Sequence, residues 1–151
     1  MLRRLAAVLT VLALAALGTH PSLAAVKKKK PDWKGSYSLT LYPDPTAEIV
    51  NQVKDGCAGL SPKGTDHHPF TVPAAGKLVL SLISPDPTGK DKTDWDMWLV
   101  GSDGDFIDHS NGPTSNEQTT TVFKKKTSFT IDVCNLLGST TGTVSWVFKY
   151  A

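Results

Sequence analysis

The sequence predicts an all-β protein, a single two-sheet β-sandwich or jelly roll of about eight strands. Short stretches of alternating apolar and polar residues recur along most of the chain, and turn residues separate them. Hardly any stretch has the spacing of an amphipathic helix. A chain of 151 residues with 40% hydrophobic content has room for one such domain with a core, and not for two.

The N-terminal residues 1–25 have the features of a secretory signal peptide. A short basic region with Arg3 and Arg4 precedes an apolar run that is shorter than a comfortable membrane span. Small residues around Ala25 suit cleavage, so we expect a secreted or periplasmic protein without a membrane span. A basic, flexible segment of residues 26–34 would then precede the β-sandwich domain of residues 35–151.

Positive and negative charges are equal in number in the predicted mature chain, but they are unevenly distributed along it. Removing the signal peptide takes away two arginines, which leaves as many lysines as carboxylates. Lysines fill positions 27–30, whereas aspartates crowd residues 86–108. We interpret the lysine run as a solvated tether, with a docking arm for an acidic surface as the alternative. Because the run precedes the fold and has no interleaved aromatics, we do not expect a nucleic-acid partner.

Each strand is predicted from its alternation and its flanking turn residues. The predicted strands cover residues 34–42, 69–72, 77–83, 118–123, 129–134 and 144–150, together with the two arms of a hairpin within 94–109. Residues 46–54 fit either a short helix or a strand, and residues 57–68 are predicted as a loop.

The hairpin is the centre of the predicted fold. Trp95, Met97 and Leu99 alternate with Asp94, Asp96 and Trp98, so the first set is expected in the core and the second set on the outer face. The Asp-Gly pair within residues 102–105 suits a two-residue turn, because both residue types tolerate a positive φ.

The two cysteines, Cys57 and Cys134, are expected to form a disulfide, because the protein is predicted to be exported and the count is even. Closing a loop of this length would stabilise the fold by about 4 kcal/mol in the chain-entropy model.

Carboxylates in the hairpin predict a calcium site. Asp94 and Asp96 share one strand face, and Ca²⁺ needs several oxygen ligands. The turn aspartates lie roughly 25 Å along the hairpin, so we expect Asp108 with Asn116 or Glu117 to complete the site. The spacing is not that of an EF-hand. The alternative is a set of solvated aspartates that protect strand edges.

Three further groups were considered as functional sites. Trp98 is a candidate for stacking on a sugar ring or a partner's side chain, unless another segment covers it. His67 and His68 lack a third metal ligand in view, which favours a plain loop. The sequence Asp108-His109-Ser110 invites a triad interpretation, but triads gather residues from separate elements, so no catalytic residue is predicted.

The order of several segments resembles that of the bacterial pre-peptidase C-terminal domain, a jelly-roll module attached to many secreted hydrolases. The matching segments are FTV at 70–72, GKLVLSL at 76–82, DWDMWL at 94–99, Ser110, Asn116-Glu117, TSFTIDV at 127–133 and VSWVF at 144–148. Since some members bind calcium, the resemblance adds weak support for Asp94 and Asp96 as calcium ligands.

These observations predict a secreted, non-catalytic binding module whose partner is an extracellular protein or a carbohydrate. The alternative is a small structural or inhibitory protein that acts on a protein partner, and a hydrolase is a remote third. A binding module would present a concave or aromatic surface, whereas an enzyme would need a pocket with a perturbed acid and base.

Overall fold

The computed structural model describes residues 29–44, 57, 60–85, 93–114 and 116–151. The predicted signal peptide, the ambiguous segment 46–54 and the loop residues 86–92 lie outside this part. Within it there are eight strands and no helix: β1 (Trp33–Thr40), β2 (Thr65–Val72), β3 (Gly76–Ile83), β4 (Asp94–Gly101), β5 (Phe106–Ser110), β6 (Asn116–Phe123), β7 (Thr127–Leu137) and β8 (Thr141–Tyr150). Accordingly, the described residues contain no helix that could span a membrane.

The strands form two antiparallel four-stranded sheets. The first sheet has the order β1-β8-β3-β6 and the second has the order β2-β7-β4-β5. Strand pairs β1–β8, β2–β7, β3–β6 and β4–β5 nest inside one another along the chain, which is the connectivity of a jelly roll. The predicted fold class, a two-sheet β-sandwich, is confirmed.

The core lies between the sheets and is filled by every second residue of each strand. In β4 the inward side chains are Trp95, Met97 and Leu99, each with no exposed surface, as the alternation predicts. Leu78, Leu80 and Leu82 of β3 face them from the first sheet. The remaining members of this cluster are Leu39, Leu41, Phe70, Val72, Phe123, Phe129, Ile131, Val133, Val144 and Phe148.

The disulfide between Cys57 and Cys134 is present, with the two Cα atoms 5.6 Å apart. Cys134 points to the outer side of β7, away from the main core, and packs with Cys57, Trp98 and Leu136 in a second, smaller cluster. The prediction of this disulfide is confirmed. It fixes a segment of the long β1–β2 connection against the outer face of the second sheet.

Two local predictions are corrected. The β4–β5 loop has three residues instead of two, because the Gly101 amide donates to the Asp105 carbonyl at 2.8 Å, and Gly104 takes the positive φ of 87° that closes such a loop. Strand β2 starts at Thr65, so His67 and His68 lie in a strand and not in a loop. Pro69 is tolerated within β2 because β2 is an edge strand.

Candidate functional site

The predicted calcium ligands lie at the start of β4 and the start of β6. Asp96 is 5% exposed and Glu117 is 4% exposed, so both carboxyl groups are buried. The pKa of Asp96 is raised to about 7, mainly by burial and then by the neighbouring charges of Asp94 and Glu117. Three of the four predicted carboxylates are therefore close enough to influence one another.

Glu117 is held in place by two hydroxyl groups. Ser110 of β5 donates a hydrogen bond to Oε2 of Glu117, and Thr114 donates to Oε1 at 3.0 Å. The backbone amide of Gln118 donates in turn to Ser110 Oγ at 3.2 Å. One carboxylate oxygen thus joins β6 to β5 of the other sheet, and the other oxygen joins β6 to the loop between them.

Asp108 lies on the other side of its sheet from Asp96. It pairs with the core residue Leu99 across β4 and β5, and it accepts a hydrogen bond of 2.6 Å from Thr121 of β6. No group of three histidine, cysteine or carboxylate side chains in the described ranges is arranged to hold a metal ion. Calcium binding at Asp94 and Asp96 therefore stays a prediction.

Trp98 is on the outer face of the second sheet, as the alternation predicts, but it is covered. Its indole is 5% exposed and packs with the disulfide and Leu136. His109 stacks on the ring at 4.6 Å between centroids, and Phe106 contacts it at 4.9 Å. With this degree of cover the indole is not available to stack on an external sugar, which agrees with the alternative of a covered ring and not with Trp98 as a binding residue.

The residues of the suspected triad point to different sides of β5. Asp108 and Ser110 face β6 through their bonds to Thr121 and Glu117, whereas His109 stacks on Trp98 on the outer face. Alternation along one strand separates adjacent side chains in this way. The three side chains do not form a hydrogen-bonded relay.

His67 and His68 also point apart. His67 Nδ1 lies 2.9 Å from Asp132 Oδ1 on the outer face, while His68 stacks on Tyr37 with ring centroids 4.1 Å apart. The Tyr37 hydroxyl is buried without a hydrogen-bond partner. Burial raises its pKa above the ordinary range, and the charges of Asp66 and Asp132 add to this. These stacked rings fill the edge between β1 and β2.

The outer face of the first sheet differs from that of the second. On the second sheet, Asp96, Trp98, Cys134 and Leu136 point outward and are buried. On the first sheet none of the outward-pointing residues is buried. They are Lys34, Ser36, Ser38, Thr40, Lys77, Val79, Ser81, Ile83, Asn116, Gln118, Thr120, Val122, Thr141, Thr143, Ser145, Val147 and Lys149. This face is open and rich in hydroxyl groups, and it carries no aromatic side chain, so the aromatic surface expected of a binding module is not found on it.

Two apolar side chains on this open face are unusually exposed, Val122 at 72% and Ile83 at 54%. A shallow cavity of about 360 Å³ lies beside Ile83, between the end of β3 and the start of β6, and Glu117 lines it. Sequence reasoning did not single out this face. The sequence does show polar residues that alternate with apolar ones in each of these strands. Only the order of the strands in the sheet shows that these polar residues form one surface.

Comparison with known proteins assigns no family to this chain. No family model matches the sequence, and no curated protein is similar to it. Among solved structures, the pre-peptidase C-terminal domain of a collagenase from Bacillus anthracis has a TM-score of 0.45 at 12% identity, over 78% of this chain and 89% of that chain. The VP2 subviral particle of infectious bursal disease virus has a TM-score of 0.36 at 12% identity, over 89% of this chain and 37% of that chain. The similarity to these two proteins concerns the β-sandwich fold.

Proposed function

We propose that the protein is an exported, non-catalytic β-sandwich module that binds an extracellular protein or carbohydrate through the outer face of its first sheet. The observation that carries this proposal is the contrast between the two outer faces. One is partly covered by Cys57 and Leu60, and the other presents four adjacent strands without a single buried outward side chain.

The chemistry of the open face suits binding. Rows of serine and threonine hydroxyls can both donate and accept hydrogen bonds, and exposed Val122 and Ile83 add apolar area that water does not favour. Some of these polar groups already bond to one another, as when Gln118 Nε2 donates to Ser81 Oγ at 3.1 Å. Such contacts hold the surface in one conformation, which lowers the entropy lost on binding.

The geometry around His109 favours binding over catalysis. A hydrolase of the serine type needs a nucleophile and a base within hydrogen-bond reach. Here Ser110 donates to Glu117, and the imidazole of His109 lies on Trp98 instead. The alternative of a structural or inhibitory protein shares the same open face and differs only in its partner.

The proposal is tested by sedimentation of the exported protein with insoluble polysaccharides and by capture on immobilised extracellular proteins from the producing culture. We expect saturable binding that the double variant Val122→Glu/Ile83→Glu loses. The matched control is Ile107→Glu, since Ile107 is 37% exposed and lies on β5 of the other sheet. If Ile107→Glu lost binding as the double variant does, or if the double variant bound as well as the wild type, the binding site would not be on the first sheet.

A further inference from the structure

Lysines are concentrated at one end of the molecule. Of the nine lysines in the described part of the chain, eight lie where β1 and β3 begin and where β6 and β8 end. This basic end consists of Lys29, Lys30, Lys34, Lys77, Lys124, Lys125, Lys126 and Lys149. The ninth, Lys63, precedes β2 at the opposite end. The linear sequence does not show this cluster, because its members come from four separate segments.

The basic end continues onto the open face of the first sheet. Lys77 and Lys149 are direct cross-strand partners on β3 and β8, and both are exposed. Lys34 of β1 pairs with Val147, two residues before Lys149 on the same face. Three adjacent strands thus place a lysine on one surface at the same end, and the exposed Lys124 follows β6.

Like charges directly opposite one another on neighbouring strands destabilise a sheet. Nothing in the described part of the structure neutralises the Lys77–Lys149 pair, since the ion pair found there joins His67 to Asp132. The carboxylates at this end are Asp32, Asp103 and Asp105, and none of them forms an ion pair with a lysine. Such an arrangement favours an external anion that bridges the ammonium groups.

We propose that the basic end binds a linear anionic polysaccharide, with its acidic groups on Lys34, Lys77 and Lys149 and its hydroxyl groups on the serines and threonines farther along the same sheet. This inference rests on the proposed function and names the partner of that same open face. Neighbouring strands lie about 4.8 Å apart, close to the length of one sugar residue in an extended polymer. Successive charged sugars can therefore meet successive strands.

Other polyanions fit this surface less well. Nucleic-acid sites interleave aromatic side chains with basic ones so that bases can stack. No outward residue of the first sheet is aromatic, and the ring of Tyr150 at this end is already occupied by Lys30, whose Nζ lies 4.0 Å from the ring centroid. Binding at a membrane surface uses large apolar side chains such as Trp, Phe and Leu that enter the lipid, whereas the apolar residues beside these lysines are the short side chains of Val79, Val122 and Val147. Serines and threonines fill the rest of the open face and match a partner that itself carries hydroxyl groups.

The test measures affinity of the exported protein for polygalacturonate, with neutral dextran, duplex DNA and vesicles of phosphatidylcholine and phosphatidylserine as comparisons, across a range of salt. Lys77→Gln and Lys63→Gln each remove one charge and form a matched pair. We expect the slope of log affinity against log salt to fall by about one unit for Lys77→Gln, by about two for Lys77→Gln/Lys149→Gln, and by none for Lys63→Gln. Melting temperatures at or above that of the wild type would show that the variants are folded.

Several outcomes would overturn the inference. They are equal effects of Lys77→Gln and Lys63→Gln, preferential binding to DNA or vesicles, or binding to dextran as strong as to polygalacturonate. If a neutral polymer or a protein is bound, and Ile83→Glu abolishes that binding while the lysine variants do not, the inference fails and the proposed function stands. Ile83 is used alone here because Val122 is the cross-strand partner of Lys77. The inference and the proposed function would both fail if no partner bound to the outer face of the first sheet.

Discussion

Asp96 is a carboxyl group held where its negative charge is unfavourable. Its pKa of about 7 in the folded protein lies above the ordinary value of 3.8, so the folded protein binds more protons than the unfolded chain between these two pH values. The free energy of unfolding therefore falls as the pH rises through this window and levels off above it.

Replacing Asp96→Asn removes this penalty. We expect the variant to be more stable than the wild type at pH 8, by roughly 2 kcal/mol, and nearly equal to it at pH 4. Thermal melting in the presence of a chelator, at a series of pH values, measures the difference. A gap that does not grow between pH 4 and pH 8 would contradict the high pKa of Asp96.

Tyr37 carries a buried hydroxyl without a hydrogen-bond partner. Such a group loses its bond to water on folding and gains nothing in return. We expect Tyr37→Phe to keep the stacking with His68 and to leave the melting temperature unchanged or slightly higher. The control is Tyr42→Phe, because Tyr42 is 57% exposed. A clear loss of stability in Tyr37→Phe alone would mean that the hydroxyl has a partner in solution.

Among the elements, β7 is tied to the β1–β2 connection by the disulfide. The two cysteines are 77 residues apart in sequence, so the bond restricts a large part of the unfolded chain. We expect the double variant Cys57→Ser/Cys134→Ser to lose about 4 kcal/mol of stability, with a much lower melting temperature. Intact mass should rise by two hydrogen atoms on reduction, and two free thiols in the exported protein would rule the bond out.

The starts of β4 and β6 bring Asp94, Asp96 and Glu117 into mutual influence, and calcium would relieve their repulsion. An ion that binds only the folded state stabilises it by about 2.7 kcal/mol at a hundredfold excess over its Kd. We therefore expect calcium to raise the melting temperature of the wild type at pH 8 and to have little effect on Asp96→Asn. Identical melting of the wild type with calcium and with chelator would leave these carboxylates as structural groups.

For the whole molecule, we expect no hydrolysis of peptide or glycoside substrates. The nearest approach to a catalytic set is Asp108, His109 and Ser110, whose side chains are engaged with three different partners. Assays with chromogenic peptides and glycosides should show no turnover above buffer. Reproducible turnover that His109→Ala abolishes would contradict the non-catalytic proposal.

The sequence was enough to predict which side chains of a strand face the core. It was not enough to predict which strands lie next to one another. Alternation is local, so Trp95 and Met97 could be assigned to the core from their spacing alone. That Lys77 lies beside Lys149 depends on the order β8-β3 within the first sheet, which no local pattern contains.

A covered Trp98 was one of the two alternatives from the sequence, but the groups that cover it were not predicted. They are His109 and Phe106 of the same hairpin and Cys57 and Leu60 of a distant connection, and the disulfide had been predicted without these surroundings. Ser110 and Glu117, seven residues apart, meet only because β5 and β6 belong to different sheets. The sequence predicted Glu117 as a ligand but not the hydroxyl groups that hold it.

The packing of Trp98 with the Cys57–Cys134 bond also has an optical consequence. A disulfide quenches the emission of an indole in contact with it, so this tryptophan should be dark in the oxidised protein and should brighten when the bond is reduced. The other three tryptophans, Trp33, Trp95 and Trp146, belong to the main core and its border and supply a steady background. The chain therefore carries its own fluorescent indicator of the redox state of its only cysteine pair.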